Sequence, residues 1–482
     1  MLLLAVGMSS APTAADPAAT NPAAADPPAA RTDVRDSRLA AELLAAVNAQ
    51  RFAGVLDTVP PTGSAVGAVP IHQTPNVDTV VFELDGAGRP IAAADVLLSP
   101  HYPNGKVVPL DANLTTNSVR WRQWDDATWD DNGGQGTVDV LPGLHGRDDH
   151  CCKHRNGACE VRSAAAVDGG LHGHETAPID FMSPYPASVL KLMAAFGVLR
   201  LVDAGEITLA DRYAYAPVGT PGPLCGGART ATVTRFFDEM ITGSSNPSAC
   251  ALIKLLHDHN AIDGLNQEFV DLGLPMLRLV GTNPHTGGTW GNSVVMNSVD
   301  TAKLLLLLSG APGTLWKTPA GAPVDASVLS ATSRRYLLGK LADQGLNQVL
   351  STTNWYGRAY PAQGIPQTTP ARWINPIDGT VTVEGHVWGQ DVRPGNASAQ
   401  VTFSHKTGLA DTSGNDAGIV KALPGEAWRS YLVVVGSNLG YRYVDPNRPA
   451  DPAGVYPVQY TEKLARLGKA IDTAVISHHN PR

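Results

Sequence analysis

Along the chain the rhythm of apolar and polar positions changes several times, and each change predicts an element. Residues 37–51 (SRLAAELLAAVNAQR) place Leu39, Leu43, Leu44 and Val47 on one side at helical spacing, which predicts an amphipathic helix. After a Gly/Pro-rich loop, residues 78–84 read as a strand, Asp85-Gly86-Ala87-Gly88 as a turn and 90–96 as the return strand. Residues 187–199 are different: nearly every position is apolar, as in a helix buried on all sides. Pro184 and Pro186 set an extended entry ahead of it, and Gly205 is a C-terminal stop. Helical spacing returns at 233–241, 247–260, 265–272, 298–308 and 330–350. From residue 400 the period becomes two, with strands at 400–408, 417–420 and 430–435, and 459–476 closes the chain as a helix. Helices at both ends, a sheet drawn from both ends and helices between them predict an α+β sandwich with a mostly helical middle. Two stretches, about 97–177 and 355–399, fit no clear period and read as long insertions.

The buried helix carries one hydroxyl and one amine, Ser188 and Lys191, three residues apart and therefore on one face. A buried ammonium without a counter-ion is costly, so such a lysine tends to lose its proton. A neutral amine beside a serine can act as general base and make that serine a nucleophile. In the first turn of a helix, unpaired N–H groups and the dipole also favour a developing oxyanion. The plain structural alternative is a core helix whose lysine reaches water and whose serine caps it. This stretch alone does not separate the two.

Length and charge narrow the field. A chain of 482 residues holds two domains or one large domain with insertions, and a net charge of −8 argues against a general nucleic-acid binder. Residues 1–15 resemble the apolar core and cleavage region of a signal peptide whose basic leader is missing, and 16–36 are an Ala/Pro-rich linker. The folded domain is expected over 37–482. The expectation is export, with a secreted, cell-surface or periplasmic location and no stable membrane insertion. In that setting cysteines are potential bridges. Cys151, Cys152 and Cys159 share a His-rich stretch with His150 and His154, yet paired C-x₂-C knuckles are absent, so bridges are favoured over zinc. The expected outside partner for Cys151 or Cys152 is Cys225, which would pin the first insertion over the site mouth. Cys250, in an apolar helix, is expected to be a buried free thiol.

Three polar signatures then fall in order: Ser188-x-x-Lys191, Ser244-x-Asn246 and Lys406-Thr407-Gly408. They sit at a buried helix start, in an interhelical turn and at a sheet edge. Together with "MITGSSNPSACALI", "FSHKTGLAD" and "NSVDTAKLLLLL", they resemble the penicillin-recognising serine hydrolases, which include class A β-lactamases and penicillin-binding proteins. The likeness covers roughly residues 177–435 with the flanking helices and first hairpin, and implies a β-lactamase/transpeptidase-like fold. It implies that Ser188 is the acylated nucleophile and Lys191 its base. Ser244 would relay a proton, and Asn246 would hold the substrate amide and Lys191. Lys406 with Thr407 would fix a substrate carboxylate beside Gly408, and the N–H groups of Ser188 and Leu409 would form the oxyanion hole. No metal or cofactor is implied; the partner is a small molecule or peptide bearing an acyl group.

Two positions depart from the pattern. Ser245 stands where class A enzymes usually carry Asp, and the loop after the second motif lacks their deacylating Glu. Between Asn246 and Asp300 the only Glu is Glu268, inside a helix; the loop offers Asn283, His285 and Asn292, with His285 the candidate substitute base. The expected function is therefore a serine acyl-hydrolase or acyltransferase acting on an amide, ester or β-lactam. The alternative is a β-lactam or cell-wall binding protein that is acylated and turns over poorly.

Overall fold

The computed structural model describes residues 37–58, 68–71, 74–123, 151–155, 158–162, 174, 176–288, 290, 294–351, 353–356, 363–388, 390–447 and 462–479. Its centre is a six-stranded antiparallel sheet. Three strands come from the N-terminal part, β1 (Val77–Leu84), β2 (Pro90–Ser99) and β3 (Tyr102–Val107). A small hairpin of β4 (Val381–Val383) and β5 (His386–Trp388) lies in the second insertion. The C-terminal part supplies β6 (Val401–Ala410), β7 (Ser413–Ala422) and β8 (Ser430–Ser437). The sheet order is β6-β7-β8-β1-β2-β3, so β1 and β8 join the two ends of the chain at its middle, with Val81 opposite Val433.

Every residue of β1 is buried, because both faces of the sheet are covered. Val77 and Val81 enter one core with Leu39, Leu43 and Val47 of helix α1 (Ser37–Ala49) and Leu464, Leu467 and Ile471 of the C-terminal helix. Val80 and Phe82 point the other way, into a larger core shared with the helical middle. The two-residue alternation of a strand thus feeds two helix layers. The helical middle comprises α2 (Lys191–Asp203), α3 (Val233–Thr242), α4 (Asn246–Asp258), α5 (Ala261–Asp271), α6 (Ser298–Leu306) and α7 (Ala331–Ala342). A short α8 (Arg393–Ala397) follows β5, and α9 (Lys463–His479) is the C-terminal helix.

Several expectations need correction. The helix expected over 330–350 stops at Ala342, because Gly345 passes under the second insertion. A β-carbon there would lie 2.7 Å from Val383 and 2.8 Å from the Trp373 ring, and Trp373 donates to the Asp343 carbonyl at 2.7 Å. The first insertion begins later than expected, since Leu97, Leu98 and Ser99 complete β2 and β3 extends the sheet. Residues Val119–Gln123 pair in parallel with Ile179–Ser183, and the backbones of Cys151–Arg155 and Ala158–Arg162 form an antiparallel hairpin. The side chains of Cys151, Cys152 and Cys159 lie outside the described residues. Cys225 is not available to them: it is bonded to Cys250. Cys250 is therefore no free thiol, and the proposed tether of the first insertion through Cys225 falls. Loop character alone pairs loop with loop. The fold instead brings the Cys225 loop down onto α4, where Gly288 passes so close that a β-carbon would lie 2.4 Å from the Cys225 sulfur.

Candidate active site

Ser188 does not open an α-helix directly. It lies in a 3₁₀ turn, Ala187–Leu190, that widens into α2 at Lys191. Ala187 holds φ at 45°, a left-handed conformation that a residue with a side chain rarely takes. Such local strain persists only where surrounding structure imposes it, and here β6 does so. Gly408 packs against the turn so tightly that a β-carbon would stand 2.4 Å from the Pro186 carbonyl oxygen and 3.0 Å from the Val189 nitrogen. Asn415 of β7 donates to the Tyr185 carbonyl at 3.1 Å, and Ser413 donates to the same oxygen.

The structure brings the three signatures together. Lys191 is 1 % exposed, and its Nζ lies 2.8 Å from Ser188 Oγ, 2.5 Å from the Ser244 carbonyl and 2.8 Å from Asn246 Oδ1. Ser244 Oγ is 3.1 Å away. Lys406, fully buried, donates to Ser244 Oγ at 2.9 Å and to the Thr407 carbonyl at 2.9 Å. Ser244 reaches both amines because it too is left-handed, at φ 62°, in the turn between α3 and α4. Ser245 is the N-cap of α4, its side chain accepting from the Ser248 N–H. That leaves Asn246 to face the lysine.

Burial pushes the Lys191 amine well below the ordinary lysine range, and the neighbouring Lys406 charge pushes the same way; Glu384 opposes them. Burial brings Lys406 down to about 7, with Asp416 opposing. The Ser244 carbonyl and the Asn246 amide oxygen can only accept, so Lys191 donates to both in either protonation state. Charged, it has a third N–H for Ser188 Oγ; uncharged, it has a lone pair left for the Ser188 hydroxyl, the arrangement a general base needs.

Above Ser188 is a cavity of about 440 Å³. Ser188, Ser244, Asn246, Thr407 and Leu409 line it. So do four residues of the β4–β5 hairpin that are absent from the sequence-based site: Val383, Glu384, His386 and Trp388. Leu224 and Tyr441 are also among its lining residues. The hairpin was legible, since VTVEGHVW is two short alternating runs around a two-residue turn. Its place over the site was not. A buried cluster ties the insertion to the sheet: His405 of β6 meets Asp416 and Asn347, each at 2.7 Å, and Gln367 of the insertion donates to Asn347 Oδ1 and lies 3.3 Å from the His405 ring.

His285 is not part of this arrangement. It is exposed, its backbone is tied to Val218 and Asn283, and it does not line the cavity. In the same loop Gly287 is seated against the Cys250 carbonyl of α4. Asn292 lies outside the described residues. Among the described residues no cluster of His, Cys, Asp or Glu is arranged to hold a metal ion. No helix among them is long and apolar enough to cross a membrane.

No family model matches the chain, and no curated protein matches it. Solved structures do. The chain is similar to penicillin-binding and β-lactamase structures. A single-site variant of PBP-A, solved as an acyl-enzyme complex with penicillin G, is 20% identical, with 60% of this chain and 81% of that one covered at a TM-score of 0.35. PBP-A itself is 19% identical over 66% of this chain and 86% of its own, at 0.36. A β-lactamase from Sphaerobacter thermophilus is 20% identical over 61% and 83%, at 0.33. At such TM-scores these likenesses carry no argument about chemistry, which rests on the side chains.

Proposed function

We propose that the protein is a serine acyl-hydrolase or acyltransferase of the penicillin-recognising superfamily, acting through a Ser188 acyl-enzyme on an amide, ester or β-lactam. One observation supports this reading above the others: a buried lysine amine, 2.8 Å from the Ser188 hydroxyl, whose N–H bonds are taken by Ser244 and Asn246.

In this reading Lys191 takes the Ser188 proton as Oγ attacks the acyl carbon. The backbone N–H groups of Ser188 and Leu409 receive the oxyanion. Ser244, joined to both Lys191 and Lys406, passes a proton to the leaving group. Protonated Lys406 and Thr407 hold a carboxylate on the substrate, and Asn246 its amide. The reading includes export, which the Cys225–Cys250 disulfide fits.

The test is covalent labelling. A fluorescent penicillin and p-nitrophenyl acetate are each expected to add one acyl group, mapped to Ser188 by mass spectrometry, and Ser188→Ala to abolish the adduct. An unlabelled wild-type protein, or a label at another residue, refutes the proposal.

A further inference from the structure

A Ser188 ester needs water activated near it if the protein is to turn over, and the loop expected to supply a carboxylate has none at the cavity. A carboxylate arrives from elsewhere. Glu384 sits at the tip of the β4–β5 hairpin, inside the 355–399 stretch, and lines the same cavity as Ser188.

Its backbone is unusual. Glu384 has φ 49° and Gly385 φ 79°, so the two-residue turn places both in the left-handed region. Turns of this kind favour Asn, Asp or Gly at the first position. A glutamate there works against local preference, as residues held for chemistry often do. The side chain lies across the Gly243 backbone, where a β-carbon would be 2.6 Å from Glu384 Oε1. Gly243 precedes Ser244, so the carboxylate is seated beside the turn that touches both lysines. Among the described residues no group donates a hydrogen bond to it. Burial, then the charge of Glu239, raises its pKa, while Lys191, Arg229 and His386 pull the other way.

We infer that Glu384 is the general base of deacylation, and that the second insertion exists at this site to deliver it. This rests on the acyl-enzyme proposed above. In the step, the Glu384 carboxylate takes a proton from a water molecule, and the hydroxide formed adds to the carbonyl carbon of the Ser188 ester. The tetrahedral adduct then breaks its bond to Oγ, releasing the carboxylic acid. Glu384 passes the proton it took from water to the neutral Lys191 amine, and the ammonium so formed protonates Oγ as that bond breaks, which restores the resting charge of all three groups. The net change is ester plus water to acid plus free serine.

The experiment separates acylation from deacylation in the full-length protein, using p-nitrophenyl acetate and a fluorescent penicillin with rapid mixing and intact-mass analysis. Glu384→Gln is expected to keep the acylation burst, lose about 100-fold or more in the steady-state rate, and accumulate the adduct on Ser188. Gly243→Ala, whose methyl must displace the carboxylate, is expected to slow deacylation by a smaller factor. The wild-type deacylation rate should fall as pH drops through the Glu384 titration, and that limb should vanish in Glu384→Gln. A purely structural glutamate would slow both steps together and leave the pH limb in place, which overturns the inference. So does a Glu384→Gln variant deacylating within about threefold of wild type, or a wild-type protein that acylates and never turns over. Failure of wild-type Ser188 to acylate at all refutes the acyl-enzyme itself, a different result.

Discussion

Replacing Gly408 with alanine tests how the site is held together. The added methyl carbon would stand 2.4 Å from the Pro186 carbonyl oxygen, with Val189 nitrogen and Cγ2 each 3.0 Å away. The closest of these is short of ordinary van der Waals contact by about 1 Å, and it is backbone, so no side-chain rotation relieves it. Strand β6 and the Ser188 turn must part by roughly that amount. Overpacking of this size costs about 1–3 kcal/mol of stability. The catalytic loss should be larger than the stability loss suggests. Displacing a reacting group by ~1 Å from a productive geometry can cost on the order of 100-fold in rate. Gly408→Ala is therefore expected to remain folded by near-ultraviolet circular dichroism yet acylate about 100-fold more slowly with p-nitrophenyl acetate. Gly264→Ala is the control: it lies inside α5 with open space around its would-be methyl and should gain up to ~1 kcal/mol without touching the acylation rate. If Gly408→Ala acylates within about threefold of wild type, the account of β6 and the Ser188 turn as one rigid unit is wrong.

Two further predictions concern protons. Because burial holds Lys406 at about 7, it is charged below that pH and neutral above it, so KM for a substrate bearing a carboxylate should rise as pH increases past 7. An uncharged ester should show no such rise, and equal pH profiles for the two substrates would contradict the anchoring role. Within the sheet, burial raises Asp78 to about 6, and burial plus the Asp78 charge raises Asp95 well above the usual carboxylate range. The folded state thus keeps protons that the unfolded chain releases near 4; the resulting stabilisation is full below that pH and fades as pH rises through about 6. Asp95→Asn, which keeps a donor for Asp78 without the titration, should become progressively more stable than wild type between pH 4 and 7 in urea unfolding; a constant difference would refute the assignment.

Much of this molecule is written in local pattern. The alternation in 78–84 and 400–408, the all-round apolar run after Pro186, and the amphipathic face of 37–51 specify elements whose burial needs no knowledge of the rest. Ser188 and Lys191 share a face simply because they are three residues apart in a tight turn. The sites at Ser244 and Lys406 were legible only as short signatures, and their meeting depends on a sheet that joins β1 to β8 across more than three hundred residues. Contacts of that range leave no period behind them. The same limit explains the errors: the Cys225 partner was chosen by loop character, whereas the packing of the Gly287–Gly288 segment on α4 decides it. Glu384 is the sharpest case. The chain announces a two-residue turn around it, but only folding sets that turn over Gly243, because which surface a hairpin covers is determined by the shape and charge of its neighbours, and not by its own sequence.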